Sequence, residues 1–206
     1  MNLLPNGNEV GILYMGDARE CCCAYMAEAE TTGNTQVEGY VSYTLPHHMN
    51  NTLIVYYSLF QNTVNLALKI AIQTGGTIRE LVPDKNYSFD YNTAAKEVRN
   101  QIARGFCPIL ISGSESIEDY RTVFIGTPNW FKTLAPPVMS FLRQHDFTGK
   151  TIIPFCTHGG GGFCQIENDI ARECSKSTIL PGITVNGTVS SEEIANWLEI
   201  IGYELS

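Results

Sequence analysis

The stretch TLIVYYSLFQNTVNLALKIAI, residues 52–72, decides the fold of this chain. It opens with a continuous apolar run, Leu53–Tyr57, whose β-branched and aromatic residues indicate a strand buried on both faces. A polar turn, Ser58–Thr63, separates this run from a segment in which apolar residues recur at i, i+3, i+4, i+7 and i+8. That period predicts an amphipathic helix. Its predicted inner face consists of Val64, Ala67, Leu68, Ala71 and Ile72.

The turn between the predicted strand and helix has the chemistry of an anion site. The backbone N–H groups of a first helical turn have no partner within the helix, and the helix dipole is positive at that end. The hydroxyls of Ser58 and Thr63 and the amide of Asn62 add further donors. The alternative is a plain strand–helix joint in which Asn62 is the N-cap. This stretch alone leaves both interpretations open.

The composition is typical of a globular protein with a substantial core. The chain has 206 residues, 44% of them hydrophobic and 17% charged, which predicts one domain with room for an appendage. A net charge of −8 argues against nucleic-acid binding, because such a protein needs cations to neutralise phosphates. The same charge predicts an acidic surface that attracts basic partner proteins.

The seven cysteines and the start of the chain indicate the compartment. No two cysteines form a C-x-x-C pair, so we expect no zinc site, and an odd number is typical of reduced thiols. The start, MNLLPNGNEVG, has no basic segment, and no apolar run reaches about 18 residues. We therefore expect a cytoplasmic protein with no membrane segment.

Residues 1–48 differ from the rest and are predicted to form an N-terminal extension of unknown role. Two segments, Val10–Met15 and Val37–Leu45, have the pattern of short strands, and Asp17–Glu30 is a candidate short helix. The remainder, residues 49–206, is predicted to be the domain proper.

From Thr52 onward, strand and helix patterns alternate. Further strands are predicted at Thr77–Val82, Tyr120–Gly126, Thr151–Cys156 and Ile183–Val185. Phe106–Asp119 is predicted to be an irregular loop, and the last helix to begin with a capping box of Ser190 and Glu193. The alternation predicts an α/β three-layer sandwich, in which a five-stranded parallel sheet carries helices on both faces. Ligands bind such sheets outside the carboxyl ends of the strands.

Three predicted strand-end loops carry complementary groups. Ser58–Thr63 offers hydroxyls and amides at a helix start, and Thr157–Gly162 offers four consecutive glycines whose bare backbone can approach a ligand. Thr127–Phe131 offers two adjacent aromatics, Trp130 and Phe131, that either stack on a flat ligand or cap the core. Hydrogen-bond donors for a phosphate, aromatic rings for a flat ligand and exposed backbone N–H groups occur together in these loops. Together they predict a site for a mononucleotide with a large heteroaromatic ring.

These pieces, in this order, resemble the flavodoxin family over residues 52–203, about three quarters of the chain. The matching segments are LIVYYSLFQNT, VFIGTPNWF with APPVMSFL, GKTIIPFCTHGGGG, and PGITVNG with NWLEIIG. The resemblance implies strand order 2-1-3-4-5 and a bound FMN. Two positions depart from the family pattern, because Phe60 and Gln61 stand where a small residue and then Gly usually precede Asn-Thr.

The resemblance also implies which residues hold FMN. The phosphate would be held by Ser58, Leu59, Phe60, Gln61, Asn62 and Thr63. The isoalloxazine would pack on Thr127, Pro128, Asn129, Trp130 and Phe131, of which Trp130 is the expected stacking partner. The ribityl chain or the pyrimidine edge would contact Thr157, His158, Gly159, Gly160 and Gly161.

His158 is the one titratable side chain that these loops offer; it either donates to the ring edge or makes a structural bond. Cys156 and Cys164 flank the glycines and are interpreted as core thiols. No residue of the three loops is predicted to be catalytic, and no metal is expected.

The function that the resemblance implies is transfer of low-potential electrons between redox protein partners, which would dock on the acidic surface. Neither nucleic acid nor a membrane is expected as a partner. One alternative is an FMN-dependent reductase of quinones or other small substrates. A second is a flavodoxin-like interaction module that has lost FMN, which the departures at Phe60 and Gln61 keep open.

If residues 1–48 are an addition to a complete domain, a truncated chain that begins at Met49 should fold. We expect it to show one cooperative urea transition with the midpoint of the full-length protein, and to bind the same ligands. Circular dichroism during urea titration measures this, with the full-length chain as the control. A truncated chain without a cooperative transition would show that the extension completes the core.

Overall fold

The computed structural model describes residues 51–203, so the predictions for residues 1–48 lie outside the described residues. The strands are β1 (Thr52–Tyr56), β2 (Thr77–Glu80), β3 (Val82–Pro83), β4 (Leu110–Ser112), β5 (Thr122–Pro128), β6 (Thr151–Thr157), β7 (Thr178–Ile179) and β8 (Ile183–Val185). The helices are α1 (Asn62–Thr74), α2 (Tyr91–Ala103), α3 (Pro136–Gln144), α4 (Ile166–Glu173) and α5 (Ser191–Ile200). None of these helices is long and apolar enough to cross a membrane.

The main sheet is parallel and has the strand order β2-β1-β5-β6-β7, with β8 also paired to β6. This confirms the predicted order 2-1-3-4-5, with a fifth strand made of two pieces. β7 pairs with Thr151 and Ile152, and β8 pairs with the segment from Phe155 onward. Between them lies Pro154, which has no N–H to donate, so the ladder is interrupted at this point.

The second predicted strand, Thr77–Val82, is wrong at its end. β2 stops at Glu80, and Val82–Pro83 pairs instead with β4 in a separate two-stranded antiparallel sheet. β4 lies inside Phe106–Asp119, which was predicted to be irregular. Leu81 still donates its N–H to the Tyr56 carbonyl at 2.8 Å, so the chain leaves β1 only after that bond.

The two faces of the sheet carry separate cores, because side chains alternate along β1. Leu53 and Val55 face the core that α2, α3 and α4 cover, whereas Ile54 and Tyr56 face the core that α1 and α5 cover. All four are buried. Helices on both faces confirm the predicted three-layer arrangement.

Helix α1 forms as predicted, but its inner face is different. Leu66, Ala67 and Ile70 are buried, whereas Leu68 is 46% and Ile72 is 81% exposed. The segment carries apolar residues on nearly all sides, so periodicity does not fix which side is buried. Packing against the sheet selects the side that carries Leu66, Ala67 and Ile70.

Candidate functional site

The carboxyl ends of β1, β5, β6 and β8 border a cleft of about 580 Å³. Its walls come from the three predicted loops, from α2 and from the loop after β8. The lining residues are Leu59, Phe60, Asn62, Tyr91, Ala94, Ala95, Val98, Pro128, Asn129, Trp130, Phe131, Thr157, His158, Gly159, Val185, Asn186 and Gly187. This volume lies in the range of small-molecule sites.

The first loop ends at the uncapped start of α1. The N-cap is Gln61 rather than Asn62, and no side chain caps the N–H groups of the first turn. Gln61 has φ 66°, in the left-handed region, which costs a residue with a Cβ about 1–2 kcal/mol. The Ser58 hydroxyl is buried and has no hydrogen-bond partner among residues 51–203. Free N–H groups and an unpaired hydroxyl at a helix start suit an anion.

Thr63 is buried beneath the cleft and does not line it. Its hydroxyl is 2.8 Å from the hydroxyl of Thr157, so one donates to the other. This bond joins the start of α1 to the end of β6, and it therefore fixes the first loop relative to the third.

The second loop begins later than predicted, because β5 extends to Pro128. Thr127 is buried, and its hydroxyl accepts from the N–H of Ala135 at 3.0 Å and donates to the Pro128 carbonyl at 2.9 Å. Asn129 donates from Nδ2 to the Gly162 carbonyl at 2.7 Å and accepts the N–H of Lys132 at 2.9 Å. The polar groups of Thr127 and Asn129 thus fix the second loop in place and bond it to the glycine loop.

Trp130 was expected either to face a ligand or to cap the core, and its indole ring reaches both environments. It lines the cleft and also packs against the core. Its ring meets Tyr57 edge to face at 5.4 Å between centroids and Tyr87 at 5.2 Å, and these two tyrosines are 6.0 Å apart. Burial raises the pKa of both tyrosine hydroxyls, so both stay neutral. The trio fixes the plane of the indole that faces the cleft.

Phe131 stands at the mouth of the cleft and is 41% exposed. Its φ of 53° turns the chain sharply after Trp130. The guanidinium of Arg99, on α2, lies 4.8 Å from the centroid of the Phe131 ring, a cation–π contact.

The glycine loop contributes less to the lining than predicted. His158 and Gly159 line the cleft, whereas Gly160 and Gly161 do not. The N–H of Gly160 donates to Nδ1 of His158 at 2.9 Å. A backbone N–H can only donate, so Nδ1 is an acceptor and the neutral imidazole carries its proton on Nε2. Nε2 is therefore available as a donor.

The two cysteines that flank the glycines differ. Cys156 is buried as predicted, and burial raises the pKa of its thiol to about 12. Cys164 is exposed, which corrects its interpretation as a core thiol, and its Sγ donates to the Gly161 carbonyl at 2.9 Å. The four cysteines in the described part of the chain are free thiols.

The structure therefore brings ten of the sixteen predicted residues to one cleft. Those that do not line it are Ser58, Gln61, Thr63, Thr127, Gly160 and Gly161. The residues that sequence reasoning missed are Tyr91, Ala94, Ala95 and Val98 on α2, and Val185, Asn186 and Gly187 after β8. The Asn-Gly pair after a strand was the available signal for the second group. Nothing in the α2 sequence distinguishes a cleft wall from an ordinary inner face.

The lining is mostly apolar, and its polar side chains are amides, hydroxyls and one imidazole. It contains no Asp, Glu, Lys, Arg or Cys, and His158 is its only imidazole. Among residues 51–203, no cluster of His, Cys, Asp or Glu could hold a metal ion. The arrangement suits reversible binding of a flat ligand with an anionic end.

Comparison with known proteins assigns this chain to a family. A family model described as Flavodoxin matches residues 51–201. A crystal structure of a candidate flavoprotein from Bacteroides uniformis has 28% identity and a TM-score of 0.66, covering 72% of this chain and 97% of that one. A second candidate flavoprotein, from Bacteroides eggerthii, has 24% identity and a TM-score of 0.68, covering 74% and 98%.

A third structure, a flavoprotein from Lactobacillus acidophilus in complex with FMN, shares the fold. It has 19% identity and a TM-score of 0.58, covering 71% of this chain and 97% of that one. No curated protein is significantly similar in sequence to this chain.

The aromatic trio predicts how Tyr87 supports Trp130. Tyr87→Leu removes two edge-to-face pairs of about 0.5–1.5 kcal/mol each and the bond to Gln101, about 1 kcal/mol, so we expect it to lower the free energy of unfolding by about 2–4 kcal/mol. Tyr87→Phe keeps both pairs and loses the bond to Gln101, about 1 kcal/mol. Urea unfolding measures both losses, and the near-ultraviolet circular dichroism of Trp130 should weaken only in the leucine variant. Equal spectra for the two variants would contradict this role.

Proposed function

This chain belongs to the flavodoxin family, and from that premise we propose that it binds FMN in the cleft and carries electrons between redox proteins. The observation that carries the proposal is the position of the cleft, at the carboxyl edge of the parallel sheet between the uncapped start of α1 and the indole of Trp130. An anion site and a flat aromatic wall in one cleft match the two ends of a flavin mononucleotide.

The residues present fit this cofactor. The phosphate would accept hydrogen bonds from the Ser58 hydroxyl and from the N–H groups at the start of α1. The isoalloxazine would lie against Trp130, and Nε2–H of His158 would donate to its polar edge. Bound FMN would supply reversible one- and two-electron chemistry. The FMN-bound Lactobacillus acidophilus flavoprotein supports this assignment by its shared fold.

A carrier is favoured over an enzyme because the lining offers little for converting a bound substrate. It contains no carboxylate, ammonium or thiol group. The rings of Tyr91 and Phe131 are exposed at the mouth, where a partner protein could approach the cofactor edge. The free thiols among the described residues are consistent with a cytoplasmic location.

Two other functions each have a structural feature in their favour. The exposed rings at the mouth would also suit a reductase that stacks a quinone there. The left-handed Gln61 and the bulky Phe60, which is exposed in the first loop, suit an interaction module that has no FMN.

Ser58 gives the phosphate end of the site a specific test. Ser58→Ala removes one hydrogen bond to a charged group, worth about 1.5–3 kcal/mol, so its Kd for FMN should rise about 10- to 100-fold. Its Kd for riboflavin, which lacks the phosphate, should stay the same. Fluorescence titration of the cofactor-free protein measures both constants, with Ser175→Ala, on the exposed segment after α4, as the matched control. An equal loss for both ligands would contradict a phosphate role for Ser58.

Stepwise reduction of the FMN-loaded protein separates the carrier from its rivals. A carrier should take up its two electrons in two resolved one-electron steps during dithionite titration and should not oxidise NADPH in the presence of menadione. Rapid NADPH oxidation would establish the reductase instead. If the protein retains no yellow flavin after FMN is added, and the fluorescence of the added FMN does not change, both redox functions are refuted.

A further inference from the structure

The acidity of this chain is unevenly distributed. The whole chain has a net charge of −8, but residues 51–203 contain 12 Lys and Arg against 14 Asp and Glu, a net charge of −2. Residues 1–50 contain one arginine and six acidic residues, a net charge of −5. Whole-chain charge therefore says little about the surface around the cleft.

The charges next to the cleft are of both signs, and its unpaired cations lie at the outer rim. Lys96, Arg99 and Lys132 adjoin lining residues and are exposed, and none of them has an ion-pair partner among residues 51–203. Among the described residues, four acidic ones also lie nearby, and two of them, Glu80 and Asp84, are close enough to Tyr57 and Tyr87 to add to the rise in pKa that burial causes in those hydroxyls. Asp90 accepts hydrogen bonds from the N–H and hydroxyl of Thr93, and Glu97 lies 3.6 Å from the ammonium of Lys85.

The best-placed cation is Arg99. Its guanidinium rests on the ring of Phe131 at 4.8 Å, so it is held at the mouth of the cleft without a carboxylate partner. Tyr91, which is 71% exposed, and Phe60 are further exposed rings of the lining. We call the set Phe60, Tyr91, Arg99, Phe131 and Lys132 the mouth surface.

We propose that the mouth surface is the docking site for an acidic redox protein, a charge preference opposite to the one that the net charge of the chain predicts. Arg99 and Lys132 do not line the cleft. They stand outside it, where a ligand inside would not reach them but the carboxylates of a protein surface would. Exposed rings bordered by unpaired cations suit the small, electrostatically steered interfaces of electron-transfer partners. The redox character of the partner rests on the proposed function; the sign of the charge does not.

The local potential can be measured on the cofactor-free protein. The chain has two tryptophans, of which Trp130 lines the cleft and Trp197 is buried among core residues. The quenching constant of Trp130 fluorescence should be larger for iodide than for caesium. Each constant is divided by that of free N-acetyltryptophanamide, and neutral acrylamide corrects for the accessibility of the indole. The double variant Arg99→Gln/Lys132→Gln should remove this preference. The matched control, Arg121→Gln/Lys176→Gln, removes two exposed cations from the opposite end of the sheet and should keep it.

Docking itself is tested with two protein probes of opposite charge. An acidic plant-type ferredoxin should bind more tightly than a basic c-type cytochrome in isothermal titration at low salt. This preference should fade at about 0.5 M salt, where charges are screened within a few ångströms. Arg99→Gln/Lys132→Gln should raise the Kd for the ferredoxin about fivefold, in keeping with two exposed charge contacts. The control pair should leave it unchanged.

Three results would overturn the proposal: stronger quenching by caesium, tighter binding of the basic cytochrome, or an iodide preference with no ferredoxin binding. The last would mean that the mouth surface attracts small anions only. Failure to bind FMN would refute the proposed function, and it would leave the quenching and ferredoxin results intact.

Discussion

The close parallel pairing of β1, β5 and β6 is the constraint on which the site depends. Gly126 lies in register with Tyr56 on one side and Phe155 on the other. A Cβ at Gly126 would stand 2.1 Å from the Phe155 ring and 2.8 Å from the Cβ of Tyr56, so only glycine fits. This packing aligns the ends of the three strands, and the loops that follow them therefore meet at one edge.

Side chains then fix the loops relative to one another. The hydroxyl pair of Thr63 and Thr157 joins the first loop to the third, and the amide of Asn129 joins the second to the third. Trp130 is held from behind by Tyr57 and Tyr87. The cleft is thus preorganised by contacts beneath its surface, and residues such as Thr127 and Thr63 serve it without lining it.

The fold could be predicted from the sequence because buried parallel strands and their helices have distinct periods. The apolar run of β1 and the capping box of α5 are local signals, and both are found in the structure. The rotation of α1 could not be predicted, since Leu68 and Ile72 are as apolar as Leu66 and Ile70, and only the tertiary packing selects between them. The α2 wall was missed for a similar reason: Tyr91 faces the cleft only because a distant strand end lies opposite it. Net charge is a different kind of signal, because a sum over the chain carries no information about where the charges lie.

The interruption at Pro154 has a consequence for the outer edge of the sheet. Because β7 has two residues and β8 has three, separated by Leu180–Gly182, neither piece presents a continuous row of free backbone groups. Another chain would find no template there long enough to extend the sheet. Pro154 in the inner strand and Pro181 in the break thus shorten the edge that the sheet offers for pairing.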